Sequence, residues 1–329
     1  MVREENPRAG RYRRRSGAAA RATTRAVAVA AAALLAAGCT AADRTARSAP
    51  APAATSAGPS AGPASPGAAG VPRPDHVVVV VEENKPYQDV IGSDEAPFIN
   101  ALAAQGANFT QSFALTHPSQ PNYLALFSGS TQGITNDSCP HALSAPSLGS
   151  ALAAAGLSFT GYSEGLPSPG YTGCDSGGYA RKHNPWVDFT DLPPAVNQPF
   201  SAFPHDYATL PTLSFVIPDL DHDMHDGSVR QGDTWLQQNL AGYADWARAH
   251  NSLLVVTWDE DDGGQDNRIP TVIVGQQVAP GGYDERIDHY RLLRTLEDAL
   301  GLPPTGAAAD TTAVQDVWRS GLGATASGS

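Results

Sequence analysis

Basic side chains are scarce in this 329-residue chain, where 21 Lys+Arg face 33 Asp+Glu. Eight of the 21 precede Cys39 and only two of the 33 do, so the chain beyond that cysteine carries a formal charge near −18. A nucleic-acid partner is thereby excluded, because neutralising a phosphate backbone needs a basic face. A protein this poor in Lys and Arg that still handles phosphate must draw positive charge from a metal ion and from histidines. Cysteine is scarce too, with three in all. Cys139 and Cys174 stand far apart, so the close pair typical of a zinc site is missing and zinc ligation is the weaker reading. An even pair in an exported chain is by default a disulfide. No apolar run reaches the roughly 20 residues of a membrane-spanning helix, and no internal repeat is present.

What is there begins with a targeting segment, residues 1–39. Arginines crowd residues 3 to 25, an apolar run follows from Ala26 to Ala37, and Leu34-Leu-Ala-Ala-Gly-Cys39 closes it with small residues before a cysteine. This resembles a bacterial lipoprotein signal in which Cys39 becomes the lipidated first residue; a plain secretory signal cut nearby is the alternative. Export is expected either way, to a cell-membrane lipoprotein or a secreted protein, with contact to a membrane only through an N-terminal lipid anchor. Arg13-Arg14-Arg15 is compatible with Tat export, although the apolar residues usual after a twin-arginine pair are missing. Residues 40–74, mostly Ala, Pro, Ser and Gly, read as a flexible tether. Gly58-Pro-Ser-Ala-Gly62 in that tether matches a hydrolase G-x-S-x-G pattern without the strand and helix it requires.

The remainder, 75–304, fits one α/β domain, followed by a small polar tail, 305–329. His76-Val-Val-Val-Val-Val81 is an uninterrupted β-branched run of the kind found in a central parallel strand, and it delivers Glu82, Glu83 and Asn84 to its C-terminal end. Ala96 to Gln105 reads as a helix and Asn108 to Leu115 as a strand. Ser119 then opens a helix whose apolar face is Tyr123, Leu124, Leu126 and Phe127, where unpaired N–H groups favour an anion. As an isolated feature, Ser119 reads first as an N-cap. Ser147 to Ala155 is a helix and Ser158 to Ser163 a strand. Residues 164 to 210, rich in Pro, Gly and aromatics, form a long insertion at the mouth of a site. Thr212 to Ile217 is a strand ending in Asp219, Asp221, His222, Asp223, His225 and Asp226. Gln231 to His250 is a helix, Ser252 to Trp258 a strand ending in Asp259-Glu-Asp-Asp262, and Ile269 to Val274 another strand. Asp288 to Leu300 is a last helix with His289 in its first turn. The order implies a mostly parallel sheet sandwiched between helices.

Each acidic cluster has a bland reading. Glu82-Glu83-Asn84 reads equally as a solvated loop, and a lone His289 as a surface residue. Asp259 onward begins like a calcium loop but puts Gly263 at the fifth place, where an EF-hand wants an acidic residue or Asn. Carboxylates and imidazoles as dense as those from Asp219 to Asp226 repel or perturb one another unless a cation or phosphate gathers them. Together the clusters describe a divalent cation, held at one or two sites, beside Ser119 as nucleophile. Histidines then neutralise phosphate oxygens or protonate the leaving group. A Ser-His-Asp acyl hydrolase is the competing chemistry, and it leaves so much acid unexplained.

Five motifs in this order carry a resemblance: Glu83-Asn84 after the valine strand; His-Pro-Ser119-Gln-Pro-Asn122-Tyr; Pro218-Asp-Leu-Asp-His-Asp223-Met-His225-Asp; Thr257-Trp-Asp259-Glu260 with Gly263-Gly264; and His289-Tyr through Thr295-Leu-Glu to Gly301-Leu. Over roughly residues 75 to 303 the chain resembles the phosphoesterase family of bacterial secreted acid phosphatases and type-C phospholipases, in the alkaline phosphatase superfamily. The resemblance implies the α/β/α fold of that superfamily. It implies a metal surrounded by Glu83, Asn84, Ser119, Asp259 and Glu260, with Ser119 phosphorylated in turnover and Asn122 on a phosphoryl oxygen. It also implies that Asp223, His225 and His289, and Asp221 at i, i+4 to His225, lie near the phosphate or a second metal. His117, His222 and His225 are the candidate catalytic imidazoles. Family members commonly carry histidine near Asp261, where this chain has Asp261-Asp262.

The expectation is therefore an exported, metal-dependent phosphomonoesterase of acid-phosphatase type, with phospholipid and phosphoinositide among its candidate substrates. A phosphodiesterase or phospholipase C is the second reading, disfavoured because the large extra C-terminal region associated with phospholipases is missing. A non-catalytic, calcium-binding surface lipoprotein is the third.

Overall fold

The computed structural model describes residues 70–264 and 266–319. Cys39, the targeting segment, the tether up to residue 69 and residues 320–329 lie outside them. The main sheet has eight strands: β1 (His76–Glu82), β2 (Ala107–Phe109), β3 (Phe159–Ser163), β4 (Asn197–Pro199), β5 (Leu213–Ile217), β6 (Ser252–Trp258), β7 (Thr271–Gly275) and β8 (Gly281–Tyr283). Their order is β8-β2-β7-β6-β1-β5-β3-β4. Only β7 runs against the rest, pairing antiparallel with β6 and β2, so the expected mostly parallel sheet is observed.

β1 lies at the centre, between β5 and β6. Successive side chains of a strand face opposite ways. Val77, Val79 and Val81 therefore join one core with Phe127, Trp186 and Phe215, while Val78 and Val80 join a second with Trp235, Tyr243 and Trp258. The first core is covered by α2 (Ser119–Ser128), α3 (Leu148–Ala154) and α5 (His289–Leu300); the second by α1 (Pro97–Gln105) and α4 (Val229–Ala249). Capping boxes start α3 at Ser147 with Ser150 and α4 at Ser228 with Gln231. Gly129 (φ 67°) and Gly301 (φ 68°) end α2 and α5 in the left-handed region that favours glycine. Among the described residues no helix is long and apolar enough to cross a membrane.

Three expectations need correction. The strand read over Asn108 to Leu115 breaks after Phe109, because Ala107–Phe109 pairs with β7 and β8 whereas Ser112–Phe113 pairs with Ile287–Asp288 in a separate ribbon. The segment after Pro304 is no loose tail up to residue 319. Ala308, Ala313, Val314 and Val317 are buried, and Arg294 donates to the carbonyl of Thr311 at 2.8 Å. Val71 is likewise buried, so packing begins before residue 75.

Four features hold the insertion, residues 164 to 210, in place. Its β4 adds an edge strand to the sheet. Trp186 lies against Gly161 of β3, where any Cβ would overlap the indole. Arg181 and Asp188 form a buried ion pair at 2.8 Å. Cys139 and Cys174 are joined by a disulfide with a Cα–Cα distance of 5.8 Å, tying the insertion to the loop after α2.

Candidate active site

The C-terminal ends of β1, β5 and β6 bring together side chains that stand far apart in sequence, as parallel sheets do. Ser119 is the first residue of α2, and Pro118 rather than Ser119 holds the cap position. The Ser119 hydroxyl makes no capping bond. It donates instead to Glu83 Oε2 at 3.0 Å, with Glu260 Oε1 at 3.4 Å. At the helix start, Gln120 N–H donates to Asp137 Oδ1 at 3.0 Å, and Pro121 has no N–H to offer.

Glu83 is the hub, fully buried at the end of the valine strand. Its Oε1 accepts from Tyr123 Oη at 2.5 Å and lies 3.0 Å from His183 Nε2. His183 Nδ1 lies 3.2 Å from Asp223 Oδ2, and Asp223 accepts the His225 N–H at 2.8 Å. On the other side, Asn84 N–H donates to Asp259 Oδ1 at 3.3 Å, and Asn84 itself has φ 53°. His117 bridges Glu260 (2.9 Å) and Asp261 (3.2 Å). His289 is buried, its Nε2 2.7 Å from the Asp259 carbonyl. A carbonyl only accepts, so Nε2 carries the proton, and burial holds the ring's pKa down.

Burial, then the charges of Asp259 and Asp223, push the Glu83 carboxyl well above the usual range. Burial and Glu260 do the same to Asp259. Burial raises Glu260 and Asp223 each to about 7, against the pull of His117 on the first and the His225 N–H on the second. His183 is pushed down by burial, with Lys182 and His225 adding to it. Four crowded acids, with Asp259 Oδ2 buried and lacking any hydrogen-bond partner, make a donor set that fits a divalent cation. Glu83, His183 and His225 each offer a ligand atom, all within 4.8 Å of one another.

The structure thus brings together Glu83, Asn84, Ser119, Asp259, Glu260, His117, Asp223, His225 and His289. It does not bring Asp221, which is exposed, or His222. The His222 ring instead lies 2.9 Å from Glu164 and 3.0 Å from Asp219, beside a cavity of about 400 Å³ that Arg230 and Trp235 also line. Asn122 is close by but engaged: Oδ1 accepts from Leu115 and Thr116 N–H, and Nδ2 donates to the Thr116 carbonyl and to Glu260. It braces the loop that carries His117. Tyr123, Asp137, Lys182 and His183 were not singled out from sequence as site residues. One signal pointed to two of them, since Arg181-Lys182-His183 is the only run of three cationic-type residues after Cys39.

The profile of the phosphoesterase family matches residues 93–303. A phosphatidylinositol-3-phosphatase of Mycobacterium tuberculosis is 55% identical over 254 residues, covering 76% of this chain and 85% of that protein. An acid phosphatase of Aspergillus fumigatus is 30% identical over 68% of this chain, which spans about half (54%) of that longer protein. Among solved structures, a lipoteichoic acid synthase of Listeria monocytogenes superposes with a TM-score of 0.50 at 13% identity, covering 70% of this chain and 73% of that one, a likeness of fold alone.

Proposed function

Since the chain belongs to the phosphoesterase family, we propose that it is an exported, metal-dependent phosphomonoesterase that forms a phosphoserine at Ser119 and acts on phosphoinositide monoesters. One observation carries the reading: the Ser119 hydroxyl caps no helix and donates to a buried carboxylate, Glu83, inside a cluster of acids. The substrate class is supported by the 55% identity to a phosphatidylinositol-3-phosphatase.

Glu83, Asn84, Asp259 and Glu260, with His183, Asp223 and His225 beyond them, are the residues that would hold the cation. When bound, a divalent cation lowers the pKa of a nearby hydroxyl and offsets charge on phosphoryl oxygens. Glu83 Oε2 accepts the hydroxyl proton and aims Oγ. The Oγ–P bond forms as the bond from phosphorus to the leaving oxygen breaks, and that oxygen takes a proton from the imidazole of His117 at the more exposed rim. Water then hydrolyses the phosphoserine, returning Ser119 and releasing phosphate. His289 keeps the Asp259 backbone in place from behind.

The test is phosphate release from a short-chain phosphatidylinositol 3-phosphate and from p-nitrophenyl phosphate, with bis-p-nitrophenyl phosphate as the diester arm. Turnover of the monoesters should fall at least about a thousandfold in Ser119→Ala and on chelation. Equal turnover in Ser119→Ala overturns the nucleophile. Faster cleavage of the diester overturns the monoesterase.

A further inference from the structure

Buried carboxylates form the floor of the site, yet the phosphate of a substrate must be met by positive charge. Several of the protein's sources of it are already engaged here. Gln120 N–H of the helix start is taken by Asp137 and Pro121 lacks one. Arg181 is locked by Asp188 and by the carbonyls of Thr172, His141 and Val187. Lys85, one of only two lysines in the chain, donates to the Met224 carbonyl.

The other lysine is placed differently. Lys182 Nζ donates to Asp137 Oδ2 at 2.9 Å and lies 3.4 Å from His225 Nε2. Asp137 in turn receives the N–H of Gln120, the residue after Ser119, so one carboxylate links the ammonium to the nucleophile's helix. The Lys182 side chain keeps 20% of its surface open, as do His225 (28%) and His117 (41%), whereas Ser119 is 2% exposed. These three nitrogen-bearing groups are the accessible rim around an anionic floor.

We propose that Lys182 binds the non-bridging oxygens of the substrate's phosphate, with Asp137 as the positioning residue that holds its ammonium beside His225. This rests on the reading of the site as a phosphoryl site, and it adds a ligand for phosphate that needs no metal. An ammonium offers three donors, and the contacts with Asp137 and His225 leave one to reach a phosphate oxygen.

The test uses the intact protein and orthophosphate. Because the chain has two lysines, acetylation followed by mass spectrometry reads Lys182 against Lys85 as internal reference. Saturating orthophosphate should slow Lys182 acetylation at least fivefold and leave Lys85 unchanged. Titration calorimetry should show orthophosphate binding weakened at least tenfold in Lys182→Met, less than fivefold in Lys182→Arg, and about threefold in Asp137→Asn. Unprotected Lys182, or Lys182→Met that keeps wild-type affinity, overturns the proposal. So does a wild type that binds no orthophosphate. Protection and binding in a protein that hydrolyses no monoester would leave the lysine assignment standing and defeat the hydrolytic reading.

Discussion

Tyr123 donates to Oε1 of Glu83 at 2.5 Å, one helical turn after Ser119 donates to Oε2 of the same carboxylate at 3.0 Å. A single buried acid is thus fixed from both oxygens by one face of α2. Losing a hydrogen bond to a buried charged group costs about 1.5–3 kcal/mol where the group must stay ionised. Tyr123→Phe should therefore lower kcat about tenfold or more with little change in KM, measured by steady-state kinetics on p-nitrophenyl phosphate. Unchanged kcat would show that Tyr123 only fills space beside His183, on which it stacks at 5.1 Å.

Carboxyls held near 7 make stability depend on pH in a set direction. Asp223 and Glu260 are raised to about 7, chiefly by burial, as is Glu297, whose Oε1 accepts from Thr305. Each holds its proton more tightly folded than unfolded, so unfolding releases protons between about pH 4.5 and 7, and stability falls as pH rises through that window. In chelator, the thermal midpoint should be higher at pH 5 than at pH 8. Divalent cation should restore more at pH 8, because it binds the deprotonated carboxylates of the native state. A midpoint that climbs with pH in chelator would contradict the assignment.

The disulfide closes a stretch with a sequence separation of 35 between the Asp137 loop and the Lys182 insertion. Replacing both cysteines by serine should cost about 2–4 kcal/mol of stability. It should also raise KM for a monoester several-fold, since Lys182 and Asp137 lose their tether. Urea unfolding and kinetics at a temperature where the variant remains folded separate the two effects.

Gly161 of β3 lets the Trp186 indole lie flat on the strand, and Trp186 Nε1 donates to Asn197 Oδ1 at 2.8 Å. Gly161→Ala should destabilise by about 1–3 kcal/mol through overpacking. A variant of wild-type stability, judged by urea midpoint, would mean that the insertion shifts freely.

Much was legible in the sequence where periodicity or motif spacing carries physical meaning. Unbroken Val and Leu runs announce strands buried on both faces, as at His76–Glu82 and Ser252–Trp258. Glu83, Ser119, Asp259 and Glu260 stood out because acids at apolar strand ends and a serine before an apolar helix are unusual together. His183 and Lys182 stayed hidden because their segment is built of short turns with no regular hydrophobic period.

The residues alone determined which stretches would be buried and which chemistry they carried to the sheet edge, because burial follows hydrophobic pattern and reactivity follows side-chain type. Only the tertiary structure decided partnership. It sent Asp223 inward to His183 while its neighbour His222 turned to Glu164. It also turned Ser119 away from capping towards Glu83. Such choices depend on directions of side chains in a loop between packed elements, which linear spacing does not encode.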